Sequence, residues 1–326
     1  MDLILAALGL LILLLAGDSL VRGAVNLSLR LGVPALIVSL TIVAFGTSAP
    51  ELLISVQAIM EGVPGLALGN VVGSNTANIL LVLGVPALMR GLSTGSCDTR
   101  KSYKQMMAAS VLFAALCFFS FNNVITWVQG LVLLAALGLI LFSAFGDAMG
   151  HRRACKAGEA VDCVDEDEEE VEGADPDMAW WKVIMFLLLG LIGLPLGADL
   201  LVDAATNIAR EVGVSETVIG LTLVALGTSL PELATTVMAA LRNQADVALG
   251  NVIGSNMFNL LAIIGVASLV GPIPVEPGIL QFDIWVMLAV SAMLAPFVFW
   301  KWHMGRIWGG VLTLLYLVYV SVVLIH

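Results

Sequence analysis

Two stretches of this chain occur twice, and the interval between the copies is the same for both. The first reads AFGTSAPEL at 44–52 and ALGTSLPEL at 225–233, and the second reads GNVVGSNTAN at 69–78 and GNVIGSNMFN at 250–259. Aligned without a gap at this shift of 181 residues, from 44 to 225, positions 44–85 and 225–266 are identical at 21 of 42 sites. Such self-similarity indicates an internal duplication, so the chain must fold as two related halves.

The composition places both halves in a membrane. Hydrophobic residues make up 60% of the chain, charged residues only 12%, and the mean hydropathy is +1.02. So little polar surface could not cover a soluble globule of this length. About 20 apolar residues form a helix that crosses a bilayer, and the pattern predicts an all-α polytopic membrane protein with ten transmembrane helices. They are predicted at 3–27, 33–60, 66–90, 103–121, 124–146, 179–208, 214–241, 245–271, 281–300 and 306–325.

The start of the chain and its cysteines give no sign of processing or cross-linking. Asp2 precedes the first apolar run without a positive residue, and no small-residue cleavage site follows. We therefore expect this run to stay as the first span. Cys117 lies within a span, and Cys97, Cys155 and Cys163 lie in loops without metal-ligand spacing, so free thiols are expected.

The basic residues predict the orientation of the spans. If the N-terminus is external, 13 of the 14 Lys and Arg residues fall at cytoplasmic ends, and Arg210 alone falls outside. Positive residues are enriched on the cytoplasmic side of membrane proteins. We therefore expect a multi-pass protein of the cell (inner) membrane with both termini external, that is, periplasmic.

Each half holds five predicted spans, and five is an odd number. The second half must therefore enter the membrane from the opposite side, which gives inverted topology about an axis in the membrane plane. We divide the chain into a first five-helix repeat at 1–147, a cytoplasmic linker at 148–178 and a second, inverted five-helix repeat at 179–326. This architecture is typical of transporters whose site lies between the halves.

The linker is strongly acidic. Residues 150–178 contain eleven Asp or Glu and three Lys or Arg, and so contribute −8 of the net charge of −11. Like charges at this density repel one another, which favours a solvated segment. A cation sensor is the alternative interpretation, although the run lacks the glycine turn and the ligand spacing of an EF-hand.

An acidic residue recurs in the first span of each half, as Asp18 and Asp199. Arg22 follows Asp18 by four residues, which predicts an ion pair along one helix face. Asp199 instead has Asp203 at that spacing. Because the ends of spans tolerate charge, we expect structural or interfacial roles for both.

Glu51 and Glu232 belong to the copies of the first repeated stretch and lie well inside predicted spans. An ionised carboxylate at that depth costs roughly 3 kcal/mol or more unless it is compensated. Neither stretch contains Lys or Arg, and the nearest basic residues lie towards span ends. The compensating charge is most simply a transported cation or a proton.

A proline precedes each of these glutamates, and a glycine lies four residues before each proline. Pro50 and Pro231 lack an amide hydrogen and clash with the carbonyl four residues back, which frees the carbonyls around Gly46 and Gly227. Free backbone carbonyls at membrane depth are tolerated only where they line a cavity or coordinate an ion. The sequence therefore predicts a broken helix at each glutamate.

Further oxygen-bearing side chains lie four residues apart and share a helix face. The pairs are Thr47 with Glu51, Thr228 with Glu232, Ser74 with Asn78, and Ser255 with Asn259. Carboxylate, hydroxyl and amide oxygens suit hard cations such as Ca²⁺ and Na⁺, whereas zinc and copper prefer Cys or His. The charge of two carboxylates balances that of one Ca²⁺, and the same group of oxygens could hold several Na⁺ ions in its place. A site that needs one cation or the other is typical of an exchanger.

These residues resemble those of the cation/calcium exchanger superfamily, whose inverted repeats carry G-T-S-x-P-E and G-N-x-x-G-S-N-x-x-N/D. Both motifs occur twice and in order, and the resemblance extends over all ten predicted spans. It is nearest to prokaryotic sodium/calcium exchanger-like antiporters. It implies secondary active Na⁺/Ca²⁺ exchange by alternating access, with a sliding motion of spans 1 and 6. The ions are transported, and no cofactor is implied.

The resemblance also implies which residues hold the ions at mid-membrane. Glu51 and Glu232 would form the acidic centre, and Asn78 and Asn259 would close it. Further oxygens would come from the side chains of Thr47, Ser48, Ser74, Thr228, Ser229 and Ser255 and from the backbone carbonyls of Ala44 and Ala225. The potassium-dependent branch has an aspartate at the position of Asn259, so the amide favours potassium-independent exchange.

Other functions compete with sodium/calcium exchange. A proton-coupled antiporter of Ca²⁺ or another cation would use the same scaffold, since both glutamates can bind protons instead of sodium. An intramembrane hydrolase using Ser48 or Ser229 would lack a general base, so we expect no enzyme. A passive channel does not explain the duplicated, broken-helix pattern. The expected partners are the lipid bilayer and the transported cations, with no nucleic acid and no obligatory protein partner.

Overall fold

The chain is almost entirely helical in the residues that the computed structural model describes, which are 1–92, 99–157, 175, 177–213 and 225–325. The helices are α1 (Asp2–Leu31), α2 (Ala35–Thr47), α3 (Ala49–Met60), α4 (Pro64–Met89), α5 (Arg100–Phe118), α6 (Trp127–Ala157), α7 (Trp180–Glu211), α8 (Ala225–Thr228), α9 (Leu230–Leu241), α10 (Ala245–Val270), α11 (Ile279–Phe299) and α12 (Arg306–Ile325). Among the described residues, β1 (Val124–Ile125) also pairs antiparallel with β2 (Ile273–Pro274), and Leu92 forms a single antiparallel bridge with Met304.

Seven helices of the described ranges are long and apolar enough to cross a membrane, and the bent pair α2–α3 makes an eighth. The chain is therefore a multi-pass membrane protein. Helix α5 and the pair α8–α9 occupy the other two predicted spans, and the start of the predicted span 214–241 lies outside the described residues. The count of ten spans stays a prediction.

The acidic linker lies mostly outside the described residues, which omit 158–174 and 176. Helix α6 extends to Ala157 and so continues into the segment predicted as linker. Basic residues near this end of the helix, including Arg152 and Arg153, interact favourably with the negative end of the helix dipole. The helix therefore ends later than hydropathy alone indicated.

Helices α4 and α10 form the centre of the molecule. Within the most apolar 18 residues of each helix, 78% of the residues are buried in α4 and 83% in α10, compared with 11% in α6 and in α12. This difference follows from composition, because α4 and α10 carry the repeated Gly, Ser and Asn residues, which suit contact with other protein groups. The Leu- and Val-rich helices α6 and α12 lie at the periphery, as expected for lipid-facing helices.

Helices α1 and α7 cross at close range and run antiparallel. A Cβ at Gly197 would lie 2.9 Å from the amide nitrogen of Leu13, and a Cβ at Gly23 would lie 2.9 Å from that of Leu187. Early residues of α1 thus meet late residues of α7, which defines the antiparallel direction. Because glycine has no side chain, the two backbones approach each other directly.

The helices that carry the two glutamates are interrupted, as predicted. Helices α2 and α3 meet at a 42° bend at Ser48, whose backbone (φ −86°, ψ 6°) leaves the helical range. Helices α8 and α9 are separated in the same way at Ser229 (φ −87°, ψ 1°). Pro50 and Pro231 lie in the first turns of α3 and α9, where the missing amide hydrogen of proline is tolerated.

Helices α4 and α10 each contain one widened, π-helical turn at equivalent positions, Asn78–Val82 and Asn259–Ile263. Hydropathy predicts continuous helices here and does not indicate these turns. A π turn places one extra residue in the helix and occurs frequently at functional sites. Each of the two turns begins at an asparagine that the resemblance implies as a ligand.

Candidate cation site

Glu51 and Glu232 occupy the first turns of α3 and α9, directly after the two interruptions. They are 1% and 0% exposed, respectively. Their carboxyl groups lie close enough to interact electrostatically. Each glutamate also lies at the N-terminal end of its helix, where the backbone dipole stabilises negative charge. The two interruptions thus bring one buried acid from each half to a shared site.

Glu232 is contacted by hydroxyl groups from both halves. Ser48 Oγ donates a hydrogen bond to Glu232 Oε1 at 3.1 Å, and the hydroxyls of Thr47 and Ser255 lie close to the same carboxyl group. The second oxygen, Oε2, is buried without a hydrogen-bond partner in the described part of the chain, and so is Oε2 of Glu51. Each glutamate therefore keeps one oxygen that no group of the described residues satisfies.

Thr47 links the halves at the edge of the site. Its hydroxyl donates to Asn251 Oδ1 at 3.2 Å and lies 3.4 Å from Ser255 Oγ. Asn251 in turn donates to the Glu232 carbonyl at 3.4 Å and to Thr236 Oγ1 at 3.2 Å. These bonds hold the end of α2 against the start of α9 and the face of α10.

The site asparagines are also buried, but their amides are only partly satisfied. Asn78 Nδ2 donates to Asn256 Oδ1 at 3.0 Å, while Asn78 Oδ1 has no partner among the described residues. Asn259 lacks a partner at both Oδ1 and Nδ2 within the same ranges. A buried polar atom left unpaired costs about 1–3 kcal/mol, so the oxygens of Asn78 and Asn259 call for a ligand. Asn259 Nδ2 is a donor, which a cation cannot satisfy.

The remaining side chains implied by the resemblance are buried at or beside the site. Ser74 lies one turn before Asn78 on α4, and Ser255 lies one turn before Asn259 on α10, as the spacing predicted. Thr228 ends α8, and Ser229 occupies the interruption after it. Ser229 Oγ is buried without a hydrogen-bond partner in the described ranges.

The two alanine carbonyls differ between the halves. The Ala44 carbonyl accepts the amide hydrogen of Ser48 at 3.1 Å and lies 3.3 Å from the Thr47 hydroxyl oxygen, whose single hydrogen it shares with Asn251 Oδ1. The equivalent amide, that of Ser229, donates to the Leu226 carbonyl at 3.1 Å and so passes over Ala225. Their assignment as ligands therefore stays a prediction, with the Ala44 carbonyl already engaged by the Ser48 amide.

No basic residue of the described ranges forms an ion pair with either glutamate. Arg22 pairs with Asp18 at 3.0 Å, which confirms the ion pair predicted from their spacing. Arg242 also bonds to Asp18 and thereby joins the end of α9 to α1. That second contact was not predicted, because its partners are 224 residues apart in the chain.

Sequence reasoning missed three asparagines that organise the site, namely Asn75, Asn251 and Asn256. All three belong to the second repeated stretch, and Asn75 and Asn256 are themselves equivalent at the shift of 181 residues. Repetition was therefore the signal that could have identified them. A buried amide that binds an ion also needs a partner for its other atoms, and Asn256 has this role for Asn78.

The donor set of the site consists of oxygens, with amide groups beside them. Within the described residues no group of three or more His, Cys, Asp or Glu could hold a metal ion. A cation held here would be balanced by two carboxylates at most and completed by hydroxyl, amide and backbone oxygens. Such a set suits a hard cation and does not suit zinc or copper.

Comparison with known proteins agrees with this chemistry. The profile of the family described as "Sodium/calcium exchanger protein" matches residues 1–146 and 182–325. The sodium/calcium exchanger MaX1 of Methanosarcina acetivorans is 33% identical, with 98% of this chain aligned to 97% of that protein. The inner membrane protein YrbG of Escherichia coli is also 33% identical, with 89% of this chain aligned to 86% of YrbG.

A solved structure has the same fold. The structure of the sodium/calcium exchanger from Methanococcus jannaschii aligns with a TM-score of 0.80 and 29% identity, covering 98% of this chain and 97% of that one. The similar proteins named for an activity are transporters of cations and not enzymes. The sequence profile, the full-length relatives and the shared fold lead to one conclusion: the chain belongs to the sodium/calcium exchanger family of membrane cation antiporters.

Proposed function

We propose that this protein exchanges Na⁺ for Ca²⁺ by alternating access at a mid-membrane site, independently of K⁺. The observation that carries the proposal is a group of buried polar atoms that lack hydrogen-bond partners within the described ranges. They are one oxygen each of Glu51 and Glu232, Asn78 Oδ1, Ser229 Oγ and Asn259 Oδ1. Cations bound to these oxygens would satisfy atoms that have no partner in the part of the chain that the structure describes.

The proposed ligands are the residues that the resemblance implies. Glu51 and Glu232 supply the charge, and Asn78 and Asn259 close the middle of the site. The other oxygens are assigned to Thr47, Ser48, Ser74, Thr228, Ser229 and Ser255, and to the carbonyls of Ala44 and Ala225. Calcium takes six to eight oxygens in flexible geometry, and this set is large enough to provide them.

Charge balance supports exchange rather than co-transport. Two carboxylates neutralise one Ca²⁺, and the same two carboxylates with neutral oxygens around them can hold Na⁺ ions instead. If three Na⁺ move for each Ca²⁺, one net charge crosses the membrane per cycle. That charge couples transport to the membrane potential by about 2.3 kcal/mol per 100 mV.

The architecture proposed for this function has ten transmembrane helices in two inverted five-helix repeats, at 1–147 and 179–326, joined by a cytoplasmic linker at 148–178. Two observations support it. The family profile matches the chain once before the linker and once after it. In addition, α1 and α7, which are equivalent helices, pack antiparallel to each other, as inverted repeats require.

The proposed location is the inner membrane, with both termini external. The excess of Lys and Arg at one set of span ends supports this orientation, and the related protein from Escherichia coli is named an inner membrane protein. Independence from K⁺ is supported by Asn259, because an amide occupies the position of the third acid in the potassium-dependent branch. We expect no obligatory protein partner.

Transport by purified protein in proteoliposomes tests the proposal. With Na⁺ inside and none outside, the vesicles should accumulate radiolabelled Ca²⁺, and dissipating the Na⁺ gradient should stop the accumulation. Adding K⁺ to both sides should leave the rate unchanged. Calcium flux that is indifferent to Na⁺ would refute the proposal. Flux driven by a pH gradient in Na⁺-free medium would replace it with the proton-coupled alternative.

Substitutions of the glutamates provide the matched controls. Glu51→Gln and Glu232→Gln keep the shape of the side chain but remove one of the two charges that balance Ca²⁺. Each should lower Na⁺-driven Ca²⁺ exchange by about 100-fold or more, because a buried charge loses its counter-charge. Glu276→Gln, at an exposed glutamate, makes the same chemical change away from the site and should exchange like the parent protein.

A further inference from the structure

Asn75 and Asn256 occupy equivalent positions on α4 and α10 and bond to each other's backbone. Asn75 Nδ2 donates to the Asn256 carbonyl at 3.1 Å, and Asn256 Nδ2 donates to the Asn75 carbonyl at 3.4 Å. Both residues are 1% exposed. In a two-fold arrangement, a reciprocal contact of equivalent residues lies on the axis that relates the two parts. This pair therefore marks the axis between the two halves.

The side-chain oxygens of the same pair are used unequally. Asn256 Oδ1 accepts a hydrogen bond from Asn78 Nδ2 at 3.0 Å. The equivalent bond would run from Asn259 Nδ2 to Asn75 Oδ1, yet both of these atoms are buried without a partner among the described residues. One of two equivalent bonds is thus formed, and the other is not.

The two halves also differ in how the helices that carry the glutamates are covered. Helix α1 covers α9, where a Cβ at Gly17 would lie 3.0 Å from the Ala234 carbonyl oxygen and Ala234 is 7% exposed. The position equivalent to Ala234 is Leu53 on α3, which is 70% exposed. The two halves have closely similar motifs but different conformations. Exchanging those conformations produces a second arrangement from the same kinds of contact.

We propose that Asn75 and Asn256 are positioning residues that hold the two site asparagines in alternation. In this conformation Asn256 holds Asn78. In the oppositely facing conformation Asn75 holds Asn259, and Asn256 releases Asn78. The inference rests on the alternating access of the proposed function but not on which cations are exchanged.

The alternation changes what the site offers to a cation. Asn78 uses its amide nitrogen in the bond to Asn256, so its oxygen is the polar atom left for a ligand. An amide that is not held can rotate and present its N–H donors, which a cation avoids. Holding one asparagine at a time therefore links the ligand set to the side from which the site is accessible.

Matched substitutions at the two positions separate this role from simple packing. Asn75→Ala and Asn256→Ala each remove one of the two reciprocal bonds, so this shared structural cost cancels when the variants are compared. Asn256→Ala additionally removes the weak contact of Asn256 Nδ2 with Met106 Sδ at 3.9 Å. Only Asn256→Ala also removes the bond to Asn78 that is present in this conformation. Only Asn75→Ala removes the bond to Asn259 that we infer for the oppositely facing conformation.

The measurement is the reaction rate of a single introduced thiol with N-ethylmaleimide, a small reagent that enters both water and detergent, in detergent-solubilised protein whose native cysteines are replaced. Leu53→Cys reports the face that is exposed in this conformation, and Ala234→Cys reports the face that is covered. With Asn256→Ala, the thiol at 234 should react faster and the thiol at 53 more slowly, and the ratio of the two rates should rise about two- to tenfold, since one hydrogen bond is at stake. With Asn75→Ala, both rates should change in the opposite direction.

Shifts in the same direction for both variants, or no shift in either, would overturn the inference. If the alanine variants fail to fold, Asn75→Ser and Asn256→Ser retain a small polar group that is too short to reach the same partners and are compared in the same way. Labelling rates do not depend on transport. Opposite shifts in a protein without Na⁺-driven Ca²⁺ flux would therefore support this inference and reject Na⁺ and Ca²⁺ as the exchanged ions. Na⁺-driven Ca²⁺ flux without opposite shifts would support the proposed function and reject this inference.

Discussion

Two equivalent regions of the molecule, one around Asp18 and one around Asp199, have opposite charge. Asp18 is paired with Arg22 on its own helix and with Arg242 at the end of α9. At the shift of 181 residues, the equivalents of these three residues are Asp199, Asp203 and Glu61. The first region therefore carries a net charge of +1 and the second a net charge of −3.

The difference in charge accompanies the difference in packing. Around Asp18, an ion pair joins α1 to α9 and Ala234 is covered, whereas Leu53 in the equivalent part of α3 is exposed. Closing the second region in the same way would bring acidic residues towards one another, which is unfavourable without a neutralising cation or proton. The duplicated halves thus differ in charge at equivalent positions, and we expect the second region to close less readily than the first.

The largest expected effect comes from making the first region resemble the second, with Arg242→Glu. The Arg242 and Asp18 side chains are only 9% and 19% exposed, so the loss lies between that of an exposed pair and that of a buried one, roughly 1–3 kcal/mol. Reactivity of a thiol introduced by Ala234→Cys should rise about five- to hundredfold as α1 leaves α9.

Lys101→Gln is the control for that variant, because it breaks the Lys101–Asp147 ion pair, whose side chains are 54% and 45% exposed. An exposed pair of this kind is worth about 0–1 kcal/mol, and it lies away from both regions. Labelling at position 234 should stay at the parental rate. An equal increase in the control and in Arg242→Glu would show that the Asp18–Arg242 pair does not hold the first region closed.

A smaller effect is expected from making the second region resemble the first, with Glu61→Arg. The new guanidinium would face Asp199 when the second region closes, and a largely exposed pair contributes about 0.2–1 kcal/mol. A thiol introduced by Leu53→Cys should then react up to about fivefold more slowly. Glu61→Gln removes the acid without adding a partner, so a full slowing in that variant would contradict the pairing.

The smallest effect should come from neutralising the second region without adding a pair, with Asp199→Asn and Asp203→Asn together. An acidic surface raises the local concentration of cations, and salt screens this attraction. The apparent affinity for Ca²⁺ on that side should fall about two- to threefold at low ionic strength and match the parent protein in high salt. A loss that persists in high salt would indicate direct coordination by these aspartates instead.

The sequence was sufficient for the parts of the fold that depend on local composition. Hydropathy located most of the helices to within a few residues, and the proline before each glutamate located the interruptions at Ser48 and Ser229. Duplication identified Glu51 and Glu232 as a pair. These features are encoded within a few neighbouring residues, which is why they can be recognised without a structure.

Features that depend on distant contacts were not predictable in the same way. Arg242 bonds to Asp18, which is 224 residues away in the chain, and Asn75 bonds to Asn256, which is 181 residues away. The π turns at Asn78 and Asn259 also escaped prediction, because a single extra residue within a helix leaves its hydropathy unchanged. The unequal conformations of the halves could not follow from sequences that are nearly the same at the site.

The glycine contacts between α1 and α7 have a mechanical consequence. Because the two backbones touch at Gly23 and Gly197, a displacement of α1 along or away from α9 is expected to carry α7 with it. The two helices would then act as one unit, so that uncovering Ala234 in one half and covering the equivalent surface in the other become a single event.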